Sequence, residues 1–233
     1  MDNLKISEIR NGIGLDLARR GLELGAIRLS VHEPFQWASG YRMPIYNDNR
    51  TYLQDPQSRK LIALGFSQIL EALDCRPVWI AGTSTAGIPH AATLADLLEL
   101  PLCYVRGSSK DHGLGRAVEG LGREKSFQQN TVVLIEDLIS TGGSSVAAVR
   151  TLQENGAKVP FCLAIFSYGL SRSLEVFAQL EDPCMPVPLL QYDDLISLAV
   201  DLGYIDREDA EALNQWRLDP FGWGEVRGFP RRK

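Results

Sequence analysis

A chain of 233 residues, 45% hydrophobic and 23% charged, has the composition of a folded globular protein and the length for one α/β domain with additions. Its net charge of −5 leaves no overall electrostatic case for nucleic-acid binding, although a local basic groove can still hold phosphates. The four cysteines, Cys75, Cys103, Cys162 and Cys184, have no C-x-x-C spacing and read as core residues in a reducing compartment; no segment is apolar enough for a signal or a membrane span, so a cytoplasmic location is expected.

The pattern at 6–24 predicts one amphipathic helix despite three glycines, ended by Gly25 and followed by a short strand at 26–29. Ser39-Gly40 signals a turn, and Met43 before Pro44 is biased towards extended backbone. The aromatics around that turn, Phe35, Trp37, Tyr41 and Tyr46, suit either core packing or a flat pocket for a heterocycle, with packing favoured. A helix is expected over about 55–73 and a short apolar strand over 77–81. That strand empties into Gly82-Thr-Ser-Thr-Ala-Gly-Ile-Pro89, a glycine-hydroxyl loop before a helix at 90–98. Loops after parallel strands are where open α/β sheets bind ligands, although a plain strand-to-helix turn has the same composition.

A strand at 100–105 leads to 106–116, the densest basic stretch, where Arg106, Lys110, His112 and Arg116 stand among glycines. This suits a loop that orders over an anion and neutralises charge growing on a leaving group. Next, Thr131-Val-Val-Leu-Ile-Glu-Asp-Leu-Ile-Ser-Thr-Gly-Gly-Ser-Ser145 joins a buried parallel strand at 132–135 to an acidic pair, a glycine-hydroxyl loop and a helix at 146–155. Glycine backbone and a helix N-terminus make a phosphate cradle. The acids would repel a phosphate unless they face sugar hydroxyls or a metal, and the loop lacks the lysine of a P-loop. Beyond it, 161–168 reads as another buried strand, 183–188 as an irregular connection or edge strand, and 192–202 and 206–216 as helices, with Asp206 and Asp209 in a capping arrangement. The alternation of strands and helices predicts an α/β fold with a largely parallel sheet flanked by helices. We read one domain over 1–233: an N-terminal hood at 1–55, an α/β core at 56–180 and a C-terminal helical appendage at 181–233.

The string 131–145 resembles the signature with which type I phosphoribosyltransferases hold phosphoribosyl pyrophosphate (PRPP). Arg106, Lys110, His112 and Gly113 match in order the Arg-x-x-x-Lys-x-His-Gly loop of one branch, the orotate phosphoribosyltransferases. Residues 35–46 resemble that branch's Phe-x-x-x-Ser-Gly-x-x-(Ser)-Pro-x-Tyr segment, so the likeness extends over roughly residues 20–170. It implies a type I phosphoribosyltransferase fold and the reaction of orotate with PRPP to give orotidine 5′-monophosphate and pyrophosphate. It also implies that Glu136 and Asp137 take the ribose hydroxyls while Leu138, Ile139, Ser140, Thr141, Gly142, Gly143 and Ser144 wrap the 5′-phosphate. Ser140 would also touch orotate, and Arg106, Lys110 and His112 would bind the pyrophosphate and carry catalysis. The resemblance further implies Mg²⁺ held mainly by PRPP and water without direct protein ligands, and a homodimer whose subunits share active sites. Three positions depart from many relatives: Met43 where serine often precedes the proline, Ala86 where lysine is frequent, and Gly107 where a second lysine often follows the arginine. Two alternatives stay open on residues alone: a phosphoribosyltransferase for xanthine or hypoxanthine, and a non-catalytic regulator that senses PRPP.

Overall fold

The structure, a computed structural model, describes residues 2–107, 117–122 and 126–231. Helix α1 (Asn3–Ile9) is capped by Asp2, whose carboxylate accepts from Lys5 N. A π-helical turn, Arg10–Gly14, separates it from α2 (Leu15–Leu24), which Gly25 ends at φ 73°. The single helix expected over 6–24 is therefore interrupted. The cause lies across the molecule: a Cβ on Gly14 would sit 2.5 Å from Leu189 O, and Arg10 Nε donates to Pro188 O at 3.0 Å. The wider turn re-phases the helix so that Gly14 and Arg10 both meet that distant backbone.

Strands β1 (Ile27–Leu29), β2 (Phe35–Gln36), β3 (Arg42–Met43) and β4 (Ile45–Asn47) make two small antiparallel pairs, β1 with β4 and β2 with β3. Gly40, at φ 84°, turns the chain between β2 and β3. Core packing claims the aromatics here. Trp37 lies 5.6 Å from Tyr168 and 6.2 Å from Trp216, and its indole donates to Ile45 O. Met43 is fully buried and its Sδ accepts from Trp216 Nε1, so this position serves packing. A 3-10 stretch, Asn49–Gln54, leads to α3 (Pro56–Ala72), started by Asp55 as cap and Pro56 in the first turn.

The core follows as β5 (Trp79–Thr83), α4 (Gly87–Leu98), β6 (Leu102–Val105), β7 (Val118–Glu119), β8 (Val132–Ile139), α5 (Gly143–Glu154), β9 (Phe161–Ser167), α6 (Ser171–Ala178) and β10 (Met185–Gln191). Helices α7 (Tyr192–Asp201), α8 (Arg207–Leu218) and α9 (Trp223–Val226) complete the described chain, and Asp206 accepts from Asp209 N at the start of α8 as the capping pattern implies. Among the described residues the central sheet runs β10-β9-β8-β5-β6-β7, parallel throughout except for β6 with β7. The order turns back between β5 and β8. Such a switch point opens a crevice beyond the carboxyl ends of the strands.

One sequence expectation changes, and at 183–188 the edge-strand reading holds. Strand β8 runs to Ile139, well past 135, and pairs with β9 as far as Ser167. The prolines at 183–188 do not break the sheet, because β10 is an edge strand. Met185 N donates to Pro160 O, so alternation turns the nitrogens of Pro186 and Pro188 away from β9, where no ladder donor is missed. The sheet thus continues past residue 180, and the boundary between a core at 56–180 and an appendage at 181–233 falls inside the fold. Tyr192, Leu195 and Leu213 of α7 and α8 share one buried cluster with Met43 and Ile45 of the hood. The cysteines are all free, and burial pushes the thiols of Cys103 and Cys184 up to about 12, which leaves them inert core groups.

Candidate active site

The crevice at the switch point is a cavity of about 750 Å³. Its floor is the carboxyl end of β8, with Glu136, Asp137 and Leu138; Thr83 at the end of β5 and Ser84, Thr85 and Ala86 after it form one wall, and Ser140 and Ser144 another. Local sequence explains each wall. Gly87 opens α4 where a side chain is impossible, since a Cβ would lie 2.5 Å from both Ile135 O and Thr83 Oγ1. Gly142 caps α5 at φ 81°, with Val176 Cγ2 only 2.9 Å from where its Cβ would stand. Among the described residues no side chain caps that helix end, which leaves its first-turn main-chain donors and the positive end of the helix dipole beside the cavity that Ser144 lines. The Ser84–Thr85 peptide bond is cis.

The two acids are adjacent but differently employed. Glu136 is 5% exposed; its Oε1 accepts from Thr83 Oγ1 at 2.6 Å and from Asp137 N at 3.0 Å, and its Oε2 accepts from Ser145 Oγ at 3.1 Å. This carboxylate knots the end of β5 to the first turn of α5. Asp137 is half-buried in the cavity floor. Burial raises both carboxyls above the ordinary range, and Glu136 reaches about 7.

The shift on Glu136 links pH to stability. Folding favours its protonated form, so that contribution is complete below the ordinary value of 4.5 and is lost as pH rises through about 7. Glutamine keeps the shape and cannot ionise. Between about pH 5 and about pH 8 wild type should therefore lose on the order of 3 kcal/mol of unfolding free energy relative to Glu136→Gln. Urea denaturation at the two pH values measures this; a difference that does not move with pH would mean Glu136 ionises as an exposed carboxyl does.

Of the residues expected at the site, Glu136, Asp137, Leu138, Ser140, Ser144 and Arg106 come together around one cavity. Thr141, Gly142 and Gly143 form the turn into α5. Ile139 is 1% exposed, with its side chain in the core beneath α5, which leaves only its backbone for a ligand. Arg106 stands at the end of β6, its N bonded to Ala117 O and its guanidinium 3.4 Å from Glu119. Lys110 and His112 lie outside the described residues. At Gly107 packing does not demand glycine, since a Cβ would meet Ser84 Oγ at an ordinary 3.7 Å. Three polar residues of the site were not singled out from sequence. Thr83 and Ser145 belong to the two glycine-hydroxyl strings, so their composition was the available signal. Asn49, whose Nδ2 donates to Asp137 O, has no local signal, because its partner is 88 residues away.

Among the described residues no group of three or more His, Cys, Asp or Glu comes together as a metal cage, and no helix is long and apolar enough to cross a membrane. Residues 48–176 match the family described as a phosphoribosyl transferase domain. The chain is 46% identical over 209 residues to the orotate phosphoribosyltransferase of Bacillus caldolyticus, covering 90% of this chain and 98% of that one. It is 45% identical over 204 residues to the orotate phosphoribosyltransferase of Bacillus subtilis, covering 88% and 92%. Among solved structures, it matches the orotate phosphoribosyltransferase of Aeropyrum pernix with a TM-score of 0.64 at 28% identity, over 81% of this chain and 99% of that one. The UMP synthase of Leishmania donovani matches with a TM-score of 0.70 at 25% identity, over 88% of this chain and 43% of that one.

Proposed function

The chain belongs to the orotate phosphoribosyltransferases, and from that premise we propose that the cavity between β5 and β8 is where it holds PRPP. The enzyme transfers the 5-phosphoribosyl group of PRPP to orotate, giving orotidine 5′-monophosphate and pyrophosphate in pyrimidine biosynthesis. The observation that carries the site assignment is the placement of a half-buried carboxylate, Asp137, beside an uncapped helix N-terminus at a switch point. An acceptor for sugar hydroxyls lies next to donors for a phosphate, the pairing that a phosphorylated ribose requires.

On this reading Asp137 accepts from the ribose hydroxyls, and Glu136 acts mainly by holding Thr83 and Ser145 in place. The turn at Ser140, Thr141, Gly142, Gly143 and Ser144 surrounds the 5′-phosphate with main-chain and hydroxyl donors. The walls after β5 take the pyrophosphate, with Arg106 at their rim and Lys110 and His112 contributed by the stretch beyond it. Breaking the anomeric C–O bond leaves positive charge on the ribose and negative charge on the departing pyrophosphate. These cations stabilise the second, and no protein nucleophile is needed. Mg²⁺ fits the donor set: among the described residues the cavity offers one carboxylate not already tied up, Asp137, which suits an ion that keeps waters and binds chiefly through substrate oxygens. When bound it supplies a Lewis acid and a template for pyrophosphate. A cytoplasmic homodimer with shared sites completes the proposal, supported by the basic stretch whose Lys110 and His112 lie several residues out from its Arg106 root.

Turnover of orotate, uracil, xanthine and hypoxanthine with PRPP and Mg²⁺ tests the base assignment: only orotate should be consumed. Ser140 borders the cavity with Leu138, two residues earlier, and on this reading it stands on the side from which the base meets the ribose. Ser140→Ala is therefore expected to raise the KM for orotate by up to about tenfold, the cost of one hydrogen bond to a charged substrate. A change confined to the PRPP parameters would assign Ser140 to phosphate binding alone.

A further inference from the structure

Strand β8 overhangs β5. The two pair from Trp79 with Val132 to Gly82 with Ile135, and β5 ends at Thr83, opposite Glu136. Asp137, one residue further on, has no ladder partner in β5 and none in the β8–β9 register, which passes from Glu136 to Leu138. Its peptide groups are satisfied by side chains instead. The N–H donates to Glu136 Oε1 at 3.0 Å, and the carbonyl accepts from Asn49 Nδ2 at 2.6 Å. Asn49 is 0% exposed, and among the described residues its Oδ1 has no partner. The contact fixes the amide orientation, since a flipped carboxamide would set oxygen against oxygen.

The corner that delivers Asn49 is itself braced. Asp48 N donates to Ala26 O, Thr51 N donates to Asp48 O, and the Asp48 carboxylate accepts from the main chain and guanidinium of Arg50. A buried amide with an orphaned oxygen is retained at a cost to the fold, and its bonded half ends on the main chain of the acid in the cavity floor. We propose that Asn49 is a positioning residue for Asp137: it supplies the partner that β5 cannot, and so fixes the direction in which the Asp137 carboxylate meets the ribose of PRPP. The proposal rests on the PRPP reading of the cavity. It also makes the N-terminal hood a determinant of PRPP binding.

A double-mutant cycle tests it. Asn49→Ala should raise the KM for PRPP about tenfold, while the KM for orotate stays within about twofold. Because Asn49 acts only through Asp137, adding Asn49→Ala to Asp137→Asn should weaken PRPP binding by no more than about twofold further, by calorimetry. Asn49→Asp, which keeps the volume and removes the donor, serves the same cycle if the alanine variant folds poorly. Full additivity of the two losses, or an unchanged KM for PRPP in a folded Asn49 variant, would overturn the positioning role. Wild-type PRPP affinity in Asp137→Asn alone would remove the PRPP reading and this proposal with it.

Discussion

Asp137→Asn is expected to lower kcat/KM for PRPP by on the order of a hundredfold or more, with little change in thermal stability. The carboxylate is half-buried, so on the PRPP reading its bonds to ribose hydroxyls would form where water competes poorly, and its charge is worth more than on an open surface. Asparagine keeps the volume but offers one acceptor and one donor where two acceptors stood, and the charge is gone. Glu136 cannot substitute, because Thr83, Ser145 and the Asp137 N–H occupy its oxygens. Titration with PRPP measures the loss directly; wild-type affinity would show that the cavity floor does not hold the ribose.

Two inactive variants should restore one another. If Lys110 acts across a homodimer, Lys110→Ala and Asp137→Asn enzymes should each be nearly inactive, while a mixture that exchanges subunits regains activity. In a heterodimer one site has both defects and the other has neither. Random exchange therefore gives at most about one quarter of wild-type activity, from the two-fold symmetry alone. The loss in Lys110→Ala should appear mainly in kcat, since the charge it meets develops in the transition state. Heterodimers that are demonstrably formed yet inactive, or fully active monomers, would end the shared-site reading.

What was legible in the sequence was short-range. A β-branched run, an acidic pair, glycines with hydroxyls and an amphipathic helix are consecutive from Thr131 to Asn155, and each has a local physical signature. The structure places the pair, the turn and the helix start around one cavity. What was not legible depends on residues far apart. Nothing local distinguishes Glu136, tied to Thr83 and Ser145, from Asp137, left to face the cavity. The π turn at Arg10–Gly14 answers to backbone near residue 189, and Trp216 reaches a methionine 173 positions earlier. Helix α6 went unread because it is short and follows Gly169-Leu170 without a polar capping side chain. The prolines at 183–188 forbid a central strand and so left an irregular connection and an edge strand both open, and the sheet order decides for the edge.

That edge has a consequence for how copies of the enzyme meet. An unpaired strand ordinarily invites another chain to extend the sheet, through a row of free donors and acceptors. On β10 two of the three outward-turned nitrogens belong to Pro186 and Pro188 and have no hydrogen, and the outward carbonyl of Pro188 is already occupied by Arg10. At those two positions an incoming strand would find no donor. Sheet-to-sheet growth, domain exchange through this edge and fibril nucleation on it are all disfavoured by the same two rings. Association of copies through the β10 edge is therefore disfavoured, and of the two sheet edges this is the one that the prolines protect.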